Sequence, residues 1–154
     1  MTAVSDIDVQ LAVSAEGVPE SETIRRWAQA VLDDRQAAGE LVIRIVDEAE
    51  ITALNRRYRG KDGATNVLSF PAELAPEIDA PLIGDIVICA PVVAGEAVVQ
   101  DKSPEAHWAH MVIHGVLHLL GYDHQVQEEA RRMEACEVRL LAALGFADPY
   151  REMA

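Results

Sequence analysis

Three histidines within eleven positions are the residues of this chain best able to do chemistry. His114 and His118 stand four apart, and Gly121 and His124 follow at three-residue steps. Residues four apart on a helix lie one turn apart on the same face, so His114 and His118 aim their rings at a shared point. Gly121 can adopt the left-handed conformation that ends a helix and reverses the chain. After that bend His124 can approach the same point from the other side. Three neutral imidazoles with one position left open form the ligand set of a catalytic zinc. The spacing H-x-x-x-H-x-x-G-x-x-H is also that of the metzincin metal helix. The expected ligands are therefore His114, His118 and His124 around one Zn2+ ion, although imidazole also suits nickel and iron.

Other roles stay open beside this one. The histidines could be core or capping residues without metal. A purely structural ion is a further possibility, but it usually takes four protein ligands. Asp123 is the nearest spare carboxylate, and it could equally orient a ligand. His107 and His110 fall on the same helical stripe one or two turns earlier. They could orient the site through hydrogen bonds or simply pack. Protease zincins place a glutamate directly after the first histidine as general base. Here that position is Gly115. Peptide cleavage is therefore not expected, whereas zinc alone can still lower the pKa of water to about 7.

A second group of reactive character is cationic. Arg56, Arg57, Arg59 and Lys61 place four of the 13 basic residues in six positions, on a chain of net charge −13. The acidic balance excludes broad electrostatic capture of nucleic acid. A small positive island can still hold phosphates locally. Arginine grips a phosphate through two parallel hydrogen bonds and can stabilise developing charge, and lysine adds a less directional cation. The same residues also suit an exposed helix C-terminus, where cations complement the dipole. Ser69 has no assigned base and is not read as a nucleophile.

The elements that must position these groups follow from the apolar pattern. Ile7 to Val13 alternates as a half-buried strand, and Leu41 to Val46 is a β-branched second strand. Thr65 to Phe70 reads as a third strand, and Leu82 to Cys89 as a fourth with Gly84 inside it. Ile24, Trp27, Ala28, Val31 and Leu32 share one face of a first helix, with Ser21 as its candidate N-cap. Asp47 and Glu50 resemble a capping box ahead of Ile51, Leu54, Asn55 and Tyr58. Pro91 opens a third helix through about Gln100, Ser103-Pro104 starts the histidine helix up to Gly121, and the last helix spans about Gln125 to Leu144. This order gives an α+β (mixed) fold: a four-stranded mixed sheet packed with about five helices, one of them a zincin-like metal helix.

At 154 residues the chain fits one domain, expected to span 1–154. No apolar run reaches membrane-spanning length, and Met1 to Asp8 carries no secretory pattern, so a cytoplasmic location is expected. Cys89 and Cys136 sit in separate apolar runs and read as reduced, buried thiols.

The segment from His114 to His124, with the block from Asn55 to Pro71 and the shorter Gly84-Asp85-Ile86, resembles the YbeY family of ribosomal-RNA maturation endoribonucleases. Asn66 occupies a position where an aspartate is also common in such proteins. The resemblance implies a metal-dependent, single-strand-specific endoribonuclease in ribosome assembly and small-subunit rRNA 3′ end maturation. It implies a functional arginine at Arg59, as catalytic and substrate-binding residue; Lys61 is the second substrate-binding candidate from the cationic island. The implied partners are single-stranded RNA, rRNA, and the small ribosomal subunit with its proteins, with neither DNA nor membrane expected. Two rivals remain: a non-enzymatic assembly factor with a structural metal, suited by the acidic body to basic ribosomal proteins, and a metal-dependent hydrolase of another substrate.

Overall fold

The structure, a computed structural model, describes residues 6–71, 82–122 and 126–150. Its strands are β1 (Asp6–Leu11), β2 (Glu40–Val46), β3 (Val67–Pro71) and β4 (Leu82–Cys89). Its helices are α1 (Ser21–Asp34), α2 (Glu48–Arg59), α3 (Ala90–Val99), α4 (Pro104–Leu119) and α5 (Gln127–Ala143). The strands form one sheet in the order β1-β2-β4-β3. β1 and β4 run parallel to β2, and β3 runs antiparallel to β4 at the edge. This is the mixed α+β architecture that the sequence pattern predicts. Parallel neighbours require a crossover. α1 supplies one between β1 and β2; α2 and β3 lie in the connection from β2 to β4.

The two central strands carry the core. Ile43, Ile45, Ile86 and Ile88 are fully buried, as are Ile24, Val31 and Leu32 of α1. α4 runs through the middle of the protein, packed against α1, α3, α5 and the β3–β4 edge. It therefore buries Trp108, Ala109, Met111, Val112, Ile113, Val116 and Leu117 on several sides. Among the described residues no helix is long and apolar enough to cross a membrane. Cys89 and Cys136 are buried free thiols, as expected.

Two glycines let these layers approach. A Cβ on Gly84, at φ +146°, would lie 2.4 Å from the Phe70 carbonyl oxygen and 2.9 Å from Leu119 Cδ2. No larger residue fits there, which explains a glycine inside a strand. A Cβ on Gly115 would meet Ile86 Cγ2 at 3.0 Å and Val67 Cγ2 at 3.3 Å. The position that carries glutamate in protease zincins thus faces the sheet, and the tight seat of α4 on β3 and β4 has no room for that side chain.

The helix starts follow the sequence with two amendments. Ser103 caps α4 by accepting from the Ala106 N–H at 3.1 Å, and Asp47 caps α2 by accepting from the Glu50 N–H at 2.9 Å. The reciprocal half of the capping box is not made. Glu50 instead accepts from Arg44 at 2.6 and 3.1 Å, because a guanidinium beside it offers a charged, two-point partner. Ser21 is not the cap of α1. The extended residue is Glu20, whose carbonyl already accepts from Ile24 N at 3.1 Å, so the helix begins with Ser21 inside it.

Candidate metal centre and its cleft

α4 turns its histidine stripe from the core to the surface along its length. His107 and His110 are 2% and 7% exposed, while His114 and His118 are half-buried. The rings of His114 and His118 lie 4.6 Å apart between centroids, inclined at 77°. One helical turn therefore brings both imidazoles to the same patch, as the spacing predicts. Past them, α4 closes at Leu120, Gly121 takes φ +100°, and Tyr122 N–H donates to the Leu117 carbonyl at 3.1 Å. The glycine reversal is real. His124 and Asp123 lie outside the described residues.

His114 is held from behind. Its Nδ1 donates to Glu137 Oε2 at 2.6 Å, and the Glu137 side chain is fully buried. The other Glu137 oxygen accepts from the Tyr150 hydroxyl and lies 3.4 Å from His110 Nε2. His110 Nε2 is also 3.2 Å from the Tyr150 hydroxyl. Burial pushes the Glu137 carboxyl up, but the hydrogen bonds and charges of His110 and His114 outweigh it and bring its pKa to about 2. A carboxylate can only accept, so Nδ1 of His114 carries the proton. In the neutral ring the lone pair then sits on Nε2, the nitrogen a metal would use.

His110, His114 and Glu137 offer ligand atoms within 4.8 Å of one another, a group compatible with a metal ion. The 2.6 Å separation of His114 Nδ1 and Glu137 Oε2 is shorter than two ligands of one tetrahedral zinc allow. At bond lengths near 2.0–2.1 Å such atoms sit roughly 3.3 Å apart. The pair is a hydrogen bond, so Glu137 stands behind His114 rather than beside it as a second ligand. Two convergent imidazoles, one braced by a buried carboxylate, fit a zinc-like ion by donor chemistry.

The cationic island reaches the same place. Arg59 ends α2, and Gly60 reverses the chain at φ +65°. Buried Asn55 donates from Nδ2 to the Gly63 carbonyl at 3.0 Å and so pins the following loop. β3 then runs beside α4, with Ser69 Oγ donating to the Gly115 carbonyl at 3.0 Å. The result is a cleft of about 770 Å3 lined by Arg59, Lys61, Thr65, Asn66, Ser69, His114 and His118, among others. Arg56 and Arg57 are exposed and do not line it. That bond ties the Ser69 hydroxyl to the backbone of α4.

Glu137, Tyr150 and Glu96 escape a reading of the sequence. His107 Nε2 lies 2.9 Å from Glu96 Oε1, and Glu96 also accepts from Asn66 Nδ2 at 3.1 Å. Burial pushes His107 below the usual imidazole range, against the pull of Glu96 in the other direction. One signal for Glu137 was available. It lies on the buried face of α5 with Met133, Cys136, Leu140 and Leu141, where a charge needs a partner.

Comparison with known proteins bears on the family and the fold. The model of the family Endoribonuclease YbeY matches residues 10–145. The Endoribonuclease YbeY of Nitrosococcus oceani is 52% identical over 149 residues, covering 96% of this chain and 97% of the relative. The solution structure of TM1509 from Thermotoga maritima superposes with a TM-score of 0.57 at 23% identity, over 95% of this chain and 99% of that one. That likeness supports the fold. With a family match over most of its length and a relative identical at half its positions, the chain belongs to the YbeY family of endoribonucleases.

Proposed function

We propose that this chain is a zinc-dependent, single-strand-specific endoribonuclease, cytoplasmic, acting in ribosome assembly and small-subunit rRNA 3′ end maturation. The observation that carries the reading is the shared cleft: Arg59 and Lys61 line the same cavity as His114 and His118. His114, His118 and His124 would hold the ion. When bound, it supplies Lewis acidity toward a phosphoryl oxygen. Arg59 would grip the phosphate on two of its oxygens and fix it against the histidine wall, while Lys61 adds a second positive charge.

Gly115 leaves the helix without a carboxylate base, which separates this chemistry from peptide hydrolysis. Positive charge is needed only in the cleft, where the phosphate would lie. The rest of the surface, on a chain of net charge −13, suits contact with basic ribosomal proteins.

The test is cleavage of a single-stranded RNA and of the matching duplex by metal-loaded protein. His114→Ala and Arg59→Glu should each lower single-strand cleavage by at least about 100-fold, the scale of losing a main electrostatic contact. Chelation should abolish it and zinc restore it. Wild-type cleavage by both variants would assign the activity to a contaminant. Metal binding without any cleavage would favour the assembly-factor reading.

A further inference from the structure

We propose that Glu137 is the positioning residue of the metal centre, and that Tyr150, from the C-terminal end of the described chain, holds Glu137 in place. The inference rests on the metal site of the proposed function and goes beyond it.

The carboxylate has no solvent to satisfy it, since its side chain is fully buried. Its partners must therefore be protein groups, and they are specific. Oε2 takes the His114 Nδ1–H at 2.6 Å, and Oε1 takes the Tyr150 O–H. His110 stands 3.4 Å from the same Oε1 and stacks edge-on to both His114 and Tyr150. Each contact removes a freedom. Glu137 fixes which His114 nitrogen carries the proton and the angle at which the ring meets the cleft. Tyr150 keeps the carboxylate from rotating off the imidazole.

Stability alone does not account for this arrangement. Buried ion pairs replaced by packed apolar groups are often neutral or stabilising. The remainder of that α5 face is apolar, with Met133, Leu140 and Leu141 buried beside it. A leucine there would fit the pattern of the helix but would leave His114 without its acceptor. The outcome is that Tyr150 reaches the metal centre through two hydrogen bonds, its own to Glu137 and that of Glu137 to His114.

Zinc affinity measured by competition with a chromophoric chelator, with circular dichroism as a check on folding, tests this on the purified full chain. Glu137→Gln should bind one ion about 10–100-fold more weakly, the usual effect of losing the partner behind a metal-ligating histidine. Tyr150→Phe should weaken binding by about three- to tenfold, on the scale of one hydrogen bond. His110→Ala should still bind one ion per chain.

Wild-type affinity in folded Glu137→Gln overturns the proposal. Complete loss of the ion in both Glu137→Gln and His110→Ala overturns it too, because those residues would then be ligands. If Glu137→Gln does not fold, Tyr150→Phe decides, and wild-type affinity there is the negative result. A wild-type chain that binds no zinc defeats the proposed function itself. Intact wild-type binding with unaltered variants defeats only this inference.

Discussion

The histidine stripe of α4 has an inner and an outer half, and the same residue type does opposite work in each. In the inner half, His107 and His110 are buried. Their partners, Glu96 for His107 and Glu137 with Tyr150 for His110, come from other elements. In the outer half, His114 and His118 line the cleft with Arg59 and Lys61. Spacing is shared by both halves, so spacing cannot separate them. What separates them is where the stripe passes from the core to the surface, between buried His110 and half-buried His114. Glu137 spans the boundary, touching His110 on one side and His114 on the other.

The sharpest way to break this contrast is to remove one histidine from each half. His118→Ala should lower zinc-dependent RNA cleavage by at least about 100-fold, with urea-denaturation stability of the metal-free protein shifted by under about 0.5–1 kcal/mol. His107→Ala should do the reverse. A cavity and the lost His107–Glu96 hydrogen bond should cost about 2–4 kcal/mol in the same denaturation experiment, while the folded fraction keeps one bound zinc. Equal losses of metal in both variants would erase the distinction.

Gly115 sits at the boundary and probes the close seat of α4. Gly115→Ala puts a methyl group 3.0 Å from Ile86 Cγ2 and should cost about 1–3 kcal/mol by denaturation. Helix propensity alone favours alanine by about 1 kcal/mol. A stabilised variant would therefore show that the layers have room to move apart.

The smallest effect expected is in pH. Burial holds the folded-state pKa of His107 below the ordinary 6.5. Below that value the unfolded chain takes up a proton that the folded chain resists, so stability falls as pH falls. The slope contributed by this one group is at most about 1.4 kcal/mol per pH unit. Above 6.5 both states are neutral at this position and the contribution vanishes. Denaturation midpoints for wild type and His107→Leu, followed downward from neutral pH, should differ in slope. Identical slopes would mean that Glu96 compensates fully for burial.

Much of the frame was legible in the sequence because it rests on local rules. Alternation gave β1, a β-branched run gave β2, shared faces gave α1 and α2, and Ser103, Asp47 and Gly121 marked their helix ends by side-chain capping and positive φ. The pair His114 and His118 was legible for the same reason, since a helical turn is a local object. Boundaries drifted where a tertiary partner intervened. β3 begins at Val67 instead of Thr65, with Asn66 using its side chain on Glu96 and on the Val67 N–H at 2.7 Å.

What the sequence by itself determined is the helical register that puts His114 and His118 on one face, the glycine that bends the chain after them, and the cationic run ending α2. Only the tertiary structure decided that α2 delivers Arg59 to those histidines, that Gly115 faces the sheet, and that Glu137 and Tyr150 stand behind His114. The physical reason is range. Helical register and turns are set by neighbours a few residues apart, whereas a buried carboxylate finds its partners, 23 positions away in one case and 13 in the other, only once the layers have closed around it.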